Sequence, residues 1–133
     1  MCASIFTGVD LVTISRFYAP TAQKQSFLNL CFTPHEQAYC FSKADPAPHF
    51  AARFAAKEAV IKALSGLDLY LERNRIEVFN NEIGRPYLIF NTDNDKILSL
   101  KSDISISHTE TSAIAFVILY TDPKKNYKSI YRE

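Results

Sequence analysis

The stretch ARFAAKEAVIKAL, residues 52–64, is typical of an α-helix, yet it carries four charged side chains among its alanines and larger aliphatic residues. A helical wheel places the following alanines on one continuous ridge: Ala52, Ala56, Ala59 and Ala63. Small side chains along a ridge let a neighbouring element approach closely, so this ridge is predicted to face the core. Because large apolar residues cover the opposite side, we predict a mostly buried helix over about 49–65, ended by Gly66.

The charges of this helix form two pairs at the i, i+4 spacing, Arg53 with Lys57 and Glu58 with Lys62. One interpretation of the second pair is a surface ion pair worth about 0.3–0.5 kcal/mol. The other is a functional stripe, in which Glu58 binds a cation while Lys62 faces an anion, as at the two ends of a metal–phosphate unit. The spacing alone leaves both interpretations open.

A second carboxylate lies in the first predicted strand. Residues 4–12 alternate as a β-strand does, and Asp10 falls on the face that Phe6 and Val12 make apolar. Two carboxylates suit Mg²⁺, which keeps several waters and takes few protein ligands. The alternative for Asp10 is a strand-end carboxylate that accepts backbone hydrogen bonds.

A group of polar residues, Ser107, His108 and Thr109, lies at the end of another predicted strand. Their side chains and backbone amides are suited to an anion. A lone histidine is more often structural, and that alternative stays open for His108.

The rest of the chain mixes helices and strands without regular alternation. Thr33, Pro34 and Glu36 have the spacing of a capping box, which predicts a helix from 34 to about 43, with a break at ADPAPH. The other predicted elements are short helices at 14–18, 22–31 and 93–101, and strands at 75–79, 86–90, 103–109 and 112–120. This order predicts an α+β fold with an antiparallel sheet packed against the long buried helix, in a single domain over 1–133. Residues 122–133 are interpreted as a flexible basic tail.

Composition excludes several classes of protein. With 133 residues and a formal net charge of +1, the chain has no overall basic field, so nucleic acid is not a favoured partner and any anion site must be local. The longest apolar run, Ala113 to Tyr120, is too short to cross a membrane, and the N-terminus lacks the basic region of a signal peptide. Three cysteines without metal-type spacing indicate reduced thiols, and we expect a cytoplasmic protein.

Taken together, these motifs resemble those of the holo-acyl-carrier-protein synthases, the short 4′-phosphopantetheinyl transferases. The combination is G-x-D, then F-x-x-K-E-x-x-x-K, then G-R-P, then S-H-T, in the family's order. The matching stretches cover most of the chain: GVDLVTISRF (8–17), FTPHEQAYC (32–40), FAARFAAKEAVIKAL (50–64), IEVFNNEIGRPYLIF (76–90) and ISISHTETSAIAFVI (104–118). The resemblance implies the 4′-phosphopantetheinyl transferase fold.

The resemblance also implies an activity, the transfer of the phosphopantetheine arm of coenzyme A to a serine of apo acyl carrier protein in fatty acid biosynthesis. Adenosine 3′,5′-bisphosphate is the other product. The Mg²⁺ ligands would be Asp10 and Glu58, and both would act in catalysis together with Lys62, which contacts phosphate. The base for the serine is left open between Glu58, acting through a metal-bound water, and free water.

Further roles follow from the same resemblance. His108 is implied to contact the 3′-phosphate of coenzyme A, and the other implied coenzyme A residues are Ser65, Gly84, Arg85, Pro86 and Thr109. Arg16 and Arg53 are implied in carrier docking, and we extend them to a basic patch with Lys24 and Lys57 that would attract an acidic carrier. The family's short members imply a homotrimer with active sites between subunits.

This sequence departs from the family pattern at two places. The turn after Lys62, ALSGLDLYLE, has one glycine, and only Lys43 and His49 supply positive charge near SKADPAPH, beside Asp45. Two alternatives to the enzyme therefore stay open, a non-catalytic module that binds coenzyme A or a carrier protein, and a generic α+β scaffold with structural charges.

Overall fold

The computed structural model describes residues 3–122, so the predicted tail over 122–133 lies, beyond Asp122, outside the described residues. Its elements in chain order are β1 (Ile5–Thr13), α1 (Gln25–Cys31), α2 (Pro34–Phe41), α3 (Pro46–Ser65), β2 (Ile76–Asn80), β3 (Pro86–Phe90), α4 (Asp95–Leu98), β4 (Lys101–His108) and β5 (Ser112–Tyr120). Short 3₁₀ helices cover Ile14–Tyr18, Pro20–Gln23 and Arg73–Arg75.

The strands form two antiparallel sheets, one of three strands in the order β1-β5-β4 and one that is the β2–β3 hairpin. The long helix α3 packs against the three-stranded sheet, so the predicted α+β fold with an antiparallel sheet and a buried helix is confirmed. The capping box of α2 is confirmed as well, since Thr33 and Glu36 each accept the other's backbone N–H.

Helix α3 is buried along most of its length, with thirteen of its twenty residues inside the core. The helix begins at Pro46 and not near residue 49, so the second half of ADPAPH, which was predicted to lie between two helices, is helical. Pro46 and Pro48 occupy the first turn, where backbone N–H groups have no intrahelical partner and proline costs little. Gly66 follows the last helical residue as predicted.

A close contact between β1 and α3 brings the first strand onto the helix. A Cβ added to Gly8 would lie 1.7 Å from the carbonyl oxygen of Ala59, so only glycine permits this spacing. Ala59 belongs to the alanine ridge, which therefore faces a neighbouring element as predicted. Because Asp10 lies two residues after Gly8 on the same face of β1, this contact also carries Asp10 toward the helix.

The other face of the three-stranded sheet is apolar and exposed. Five large side chains on it are between 40% and 67% exposed: Ile5, Val9, Leu11, Ile114 and Phe116. They form one continuous patch, because Val9 pairs with Phe116 and Leu11 with Ile114 across the two strands. An apolar patch on one face of a sheet is typical of a protein–protein contact.

Within residues 3–122, no helix combines the length and the apolar character needed to cross a membrane.

Candidate active site

Asp10 and Lys62 meet at the junction of β1 and α3. The Lys62 ammonium donates to the backbone oxygen of Val9 at 2.9 Å and lies 3.2 Å from Asp10 Oδ1. The Lys62 side chain is 55% exposed and that of Asp10 is 19% exposed, so the pair is accessible from solvent. Asp10 therefore has a side-chain cation as its partner. Its role as a Mg²⁺ ligand together with Glu58 stays a prediction.

Glu58 is paired with Arg73, which was not among the predicted site residues. Its carboxylate accepts a hydrogen bond from Arg73 Nε, which comes from the 3₁₀ helix before β2. In the described part of the chain Glu58 and Lys62 do not pair with each other, so the interpretation of these two residues as a surface ion pair is wrong. Each carboxylate of the site has its own cation.

The donor set of Asp10 and Glu58 fits a hard divalent cation. Both offer carboxylate oxygens, and the Glu58 side chain, 20% exposed, is as accessible as that of Asp10. No group of three or more histidine, cysteine, aspartate or glutamate side chains in the described ranges is arranged to hold a metal. Two protein carboxylates suit Mg²⁺, which fills its remaining positions with water and substrate phosphate. A cation bound here would compete with Lys62 and Arg73.

His108 lies on the same side of the sheet as Asp10. In register, Val12 pairs with Ala113 and Ala113 with His108, so His108 is two strands away from β1 and two residues beyond the row of Asp10. Strand spacing and rise place the two residues about 12 Å apart. His108 itself is exposed at the end of β4. This distance would let His108 and the Lys62 ammonium beside Asp10 contact opposite ends of one extended anionic ligand.

The surroundings of His108 are electropositive. Burial lowers the pKa of His49, and the charges of Arg53, Lys43 and His108 lower it further. His49 lies in the first turns of α3, so the N-terminal end of this helix and the end of β4 share one cluster of basic groups. The charge of Asp45 opposes these groups and raises the pKa of His49. Lys43 and His49 were identified from the sequence as the basic groups near SKADPAPH, but their proximity to Arg53 and His108 was not.

Two predicted coenzyme A residues are exposed, with hydroxyls that bond locally. Thr109 Oγ1 accepts the backbone N–H of Ser112 at 3.1 Å in the β4–β5 turn. Ser65 Oγ donates to the backbone oxygen of Lys62 at 2.5 Å at the end of α3. Their contacts with coenzyme A stay predictions.

The loop Gly84, Arg85 and Pro86 lies at the tip of the β2–β3 hairpin. Gly84 has a φ of +84°, a left-handed conformation that favours glycine. Arg85 is exposed and pairs with Asp103 of β4 at 2.8 Å. The loop is thus held by its own turn and tied to the three-stranded sheet, and its contact with coenzyme A stays a prediction.

Arg53 supports this loop from within the protein. Its guanidinium donates to Asn80 Oδ1 at 2.8 Å, and the amide of Asn80 donates to the backbone oxygen of Gly84 at 3.0 Å. Its Cζ lies 4.0 Å from the centre of the Tyr39 ring. Within residues 3–122, Arg53 Nε is buried without a hydrogen-bond partner. Arg53 is only 5% exposed, so its prediction as a member of an exposed docking patch is wrong.

Lys57 is likewise absent from the surface. It is fully buried and donates to Glu36 at 2.6 Å and to the backbone oxygens of Arg73 and Ile76. The predicted basic patch therefore loses Lys57 as well as Arg53. Arg16 and Lys24 are exposed, and the docking role of Arg16 stays a prediction.

Arg73 is the main contributor that sequence reasoning missed. The segment ERNR, residues 72–75, reads as a polar turn, and no periodicity indicates which of its side chains folds back over α3. The useful signal was the position of Glu58 on a helix predicted to be mostly buried, because a partly buried carboxylate requires a partner. That partner is Arg73.

Comparison with known proteins shows the family to which this chain is related. The family model of the 4′-phosphopantetheinyl transferase superfamily matches residues 7–127. A holo-[acyl-carrier-protein] synthase of Thermodesulfovibrio yellowstonii is 47% identical over 118 residues, which cover 84% of this chain and 95% of that protein.

Solved structures are similar over nearly the whole chain. The holo-(acyl-carrier-protein) synthase of Bacillus anthracis in complex with CoA (3′,5′-ADP) has a TM-score of 0.75 at 27% identity, covering 91% of this chain and 100% of that one. The ACPS–CoA complex of Chronobacterium ammoniagenes has a TM-score of 0.75 at 29% identity, covering 90% and 98%. The chain therefore belongs to the holo-[acyl-carrier-protein] synthases of the 4′-phosphopantetheinyl transferase superfamily.

Proposed function

We propose that this protein transfers the 4′-phosphopantetheine arm of coenzyme A to a serine of apo acyl carrier protein and releases adenosine 3′,5′-bisphosphate. The observation that carries the proposal is the contact of Asp10 on β1 with Lys62 on α3, one helical turn from Glu58. We place the reaction in fatty acid biosynthesis and in the cytoplasm. The compartment rests on the three cysteines of the sequence, which lack a disulfide or metal pattern.

The chemistry requires that charge be stabilised as the serine oxygen attacks phosphorus and the pyrophosphate bond breaks. Lys62 presents an exposed ammonium where that phosphate would lie, and it stabilises negative charge on the transferring and leaving groups. Asp10 and Glu58 would hold Mg²⁺, which when bound supplies Lewis-acid stabilisation of the phosphate oxygens. His108 would bind the 3′-phosphate at the other end of the nucleotide.

The proposal is tested by incubating the protein with coenzyme A, Mg²⁺ and an apo acyl carrier protein, followed by mass spectrometry of the carrier. We expect the carrier to gain the mass of one phosphopantetheine group, and the gain to stop when a chelator removes Mg²⁺. A protein that binds coenzyme A but leaves the mass of the carrier unchanged would instead be a binding module.

Replacing His108 with alanine is expected to weaken the use of coenzyme A selectively. If His108 binds the 3′-phosphate, the variant loses about 1.5–3 kcal/mol, the range for a hydrogen bond to a charged group. The Michaelis constant should therefore rise much more for coenzyme A than for 3′-dephospho-coenzyme A, which lacks that phosphate. Equal losses on the two substrates would assign His108 a structural role.

The exposed apolar face of the three-stranded sheet supports a homotrimer. Because Val9 and Phe116 pair across β1 and β5 in the middle of this patch, Phe116→Glu places a charge in the proposed contact. We expect light scattering to give three times the chain mass for the unmodified protein and one chain mass for the variant. Leu98→Glu, at an exposed position of α4, is the control and should leave the mass unchanged. A fully active monomer of the unmodified protein would contradict the trimer.

A further inference from the structure

The pairing of Glu58 with Arg73 has no role in the proposed reaction. Lys62, the partner of Asp10, already serves the phosphate, whereas Arg73 contacts neither the predicted phosphate residues nor the hairpin loop in the contacts described. Its Nε–H instead donates to one oxygen of a carboxylate that a divalent cation would need. Arg73 therefore occupies one carboxylate oxygen of Glu58.

The backbone of Arg73 is firmly anchored. The buried ammonium of Lys57 donates to the backbone oxygen of Arg73 at 2.8 Å and to that of Ile76, and Glu36 holds the ammonium at 2.6 Å. Lys57 directly precedes Glu58 on α3. The segment that carries Arg73 is thus fixed beside Glu58, and any rearrangement is limited to the Arg73 side chain.

The Arg73 side chain has room to move away from Glu58. It is 36% exposed and borders a cavity of about 450 Å³, lined also by Cys31, Phe54 and Glu72. Its Cζ lies 5.6 Å from the centre of the Phe54 ring, and Arg16, which lines the same cavity, has its Cζ 4.7 Å from that ring. Because the side chain is partly exposed, a guanidinium released from Glu58 can turn toward solvent.

We propose that Arg73 is a positioning residue that holds Glu58 in the metal-free protein and is displaced when a divalent cation binds this carboxylate. The inference rests on the metal site of the proposed function. Arg73 keeps the site charge-balanced without metal, and by competing for Glu58 it lowers the affinity of the substrate-free protein for the cation.

The test measures Mn²⁺ binding to the substrate-free protein by electron paramagnetic resonance, since Mn²⁺ shares the preference of Mg²⁺ for carboxylate oxygen. Arg73→Met keeps the length of the side chain and removes its charge, and we expect Kd for Mn²⁺ to fall ~2- to 5-fold. Arg73→Lys should restore part of the competition. Arg75→Met is the matched control, because Arg75 lies in the same 3₁₀ helix, pairs with Glu72 and should leave Kd unchanged.

A second measurement follows Arg73 directly. In ¹⁵N-edited NMR of the unmodified protein, the Arg73 Nε–H signal should shift as Mg²⁺ is added, while that of Arg75 stays in place. Because this measurement uses the unmodified protein, it tests the displacement of Arg73 even if the Arg73→Met variant does not fold.

Several outcomes would overturn the inference. Unchanged or weaker Mn²⁺ binding by Arg73→Met would show that Arg73 does not compete or that it orients Glu58 for the metal. An Arg73 Nε–H signal that ignores saturating Mg²⁺ would show that the guanidinium is not displaced. If the unmodified protein does not bind Mn²⁺, Glu58 is not a metal ligand in the substrate-free protein and the inference is wrong. The carrier-mass assay with Mg²⁺ then decides separately whether the proposed transfer occurs.

Discussion

Glu58→Gln is expected to lower kcat/KM for carrier modification at least about 10³-fold, because a carboxylate that holds the divalent cation contributes several kcal/mol of charge stabilisation through it. The substitution keeps the shape of the side chain and removes its charge. Activity is measured by carrier mass across a magnesium titration, and the remaining activity should depend weakly on Mg²⁺. Glu72→Gln, at an exposed carboxylate 3.7 Å from Arg75, is the control and should stay close to normal activity.

The stability of the Glu58→Gln variant separates a metal role from a structural one. The Glu58–Arg73 pair is partly exposed, and such pairs contribute about 1 kcal/mol or less. Repulsion between two carboxylates without metal would predict a slight gain in stability, but Arg73 and Lys62 neutralise Glu58 and Asp10 individually. We therefore expect a small loss in a thermal melt without metal. A strongly lowered melting temperature with transfer intact would make Glu58 a structural ion-pair partner.

The features that sequence predicted well are those set by local patterns. The alanine ridge of α3 predicted a close neighbour, and Gly8 on β1 provides it at Ala59. The alternation of β1 put Asp10 on the inner face, and the strand register then placed His108 on that same face. The alanine ridge and the alternation of β1 need only the period of one element, because a helix or strand fixes which side chains share a face. The position of His108 depends in addition on the register of three strands.

The choice of partner for each charge was not predictable in the same way. Periodicity indicates that Arg53 and Lys57 share an edge of α3, but burial depends on what packs against that edge. Here α2 and β2 cover it, and they supply Glu36 and Asn80 as partners from distant parts of the chain. A basic pair that looks like a docking surface in the sequence therefore becomes two internal connections.

Glu36 has a second role that its capping motif does not indicate. Its place in the capping box of α2 was predicted, and Oε1 accepts the backbone N–H of Thr33 at 2.9 Å. Its other oxygen accepts the backbone N–H of Val78 on β2 at 3.0 Å, and Lys57 donates to Oε1. One buried carboxylate thus joins α2, α3 and β2, which a local capping signal cannot indicate.

Lys57→Met is expected to lower the free energy of unfolding by about 3–5 kcal/mol, because removing one partner of a buried ion pair leaves an uncompensated charge. Both side chains of this pair are fully buried, and burial lowers the pKa of Lys57 against the opposing effect of Glu36. The substitution also leaves the backbone oxygens of Arg73 and Ile76 without the ammonium. Urea unfolding followed by circular dichroism, at one fixed protein concentration, gives the change.

The matched controls identify the cause of that loss. Lys62→Met removes the same charge from the same helix at a side chain that is mostly exposed, and should cost about 1 kcal/mol or less. Adding Glu36→Gln to Lys57→Met removes the stranded charge, so the double variant should be more stable than Lys57→Met alone. If the double variant is instead less stable by the sum of the two single losses, the two side chains act independently and the buried charge is not the source of the instability. Recovery in the double variant would mean that Lys57 serves this protein by neutralising Glu36, and that the charge beside the candidate metal ligand is structural.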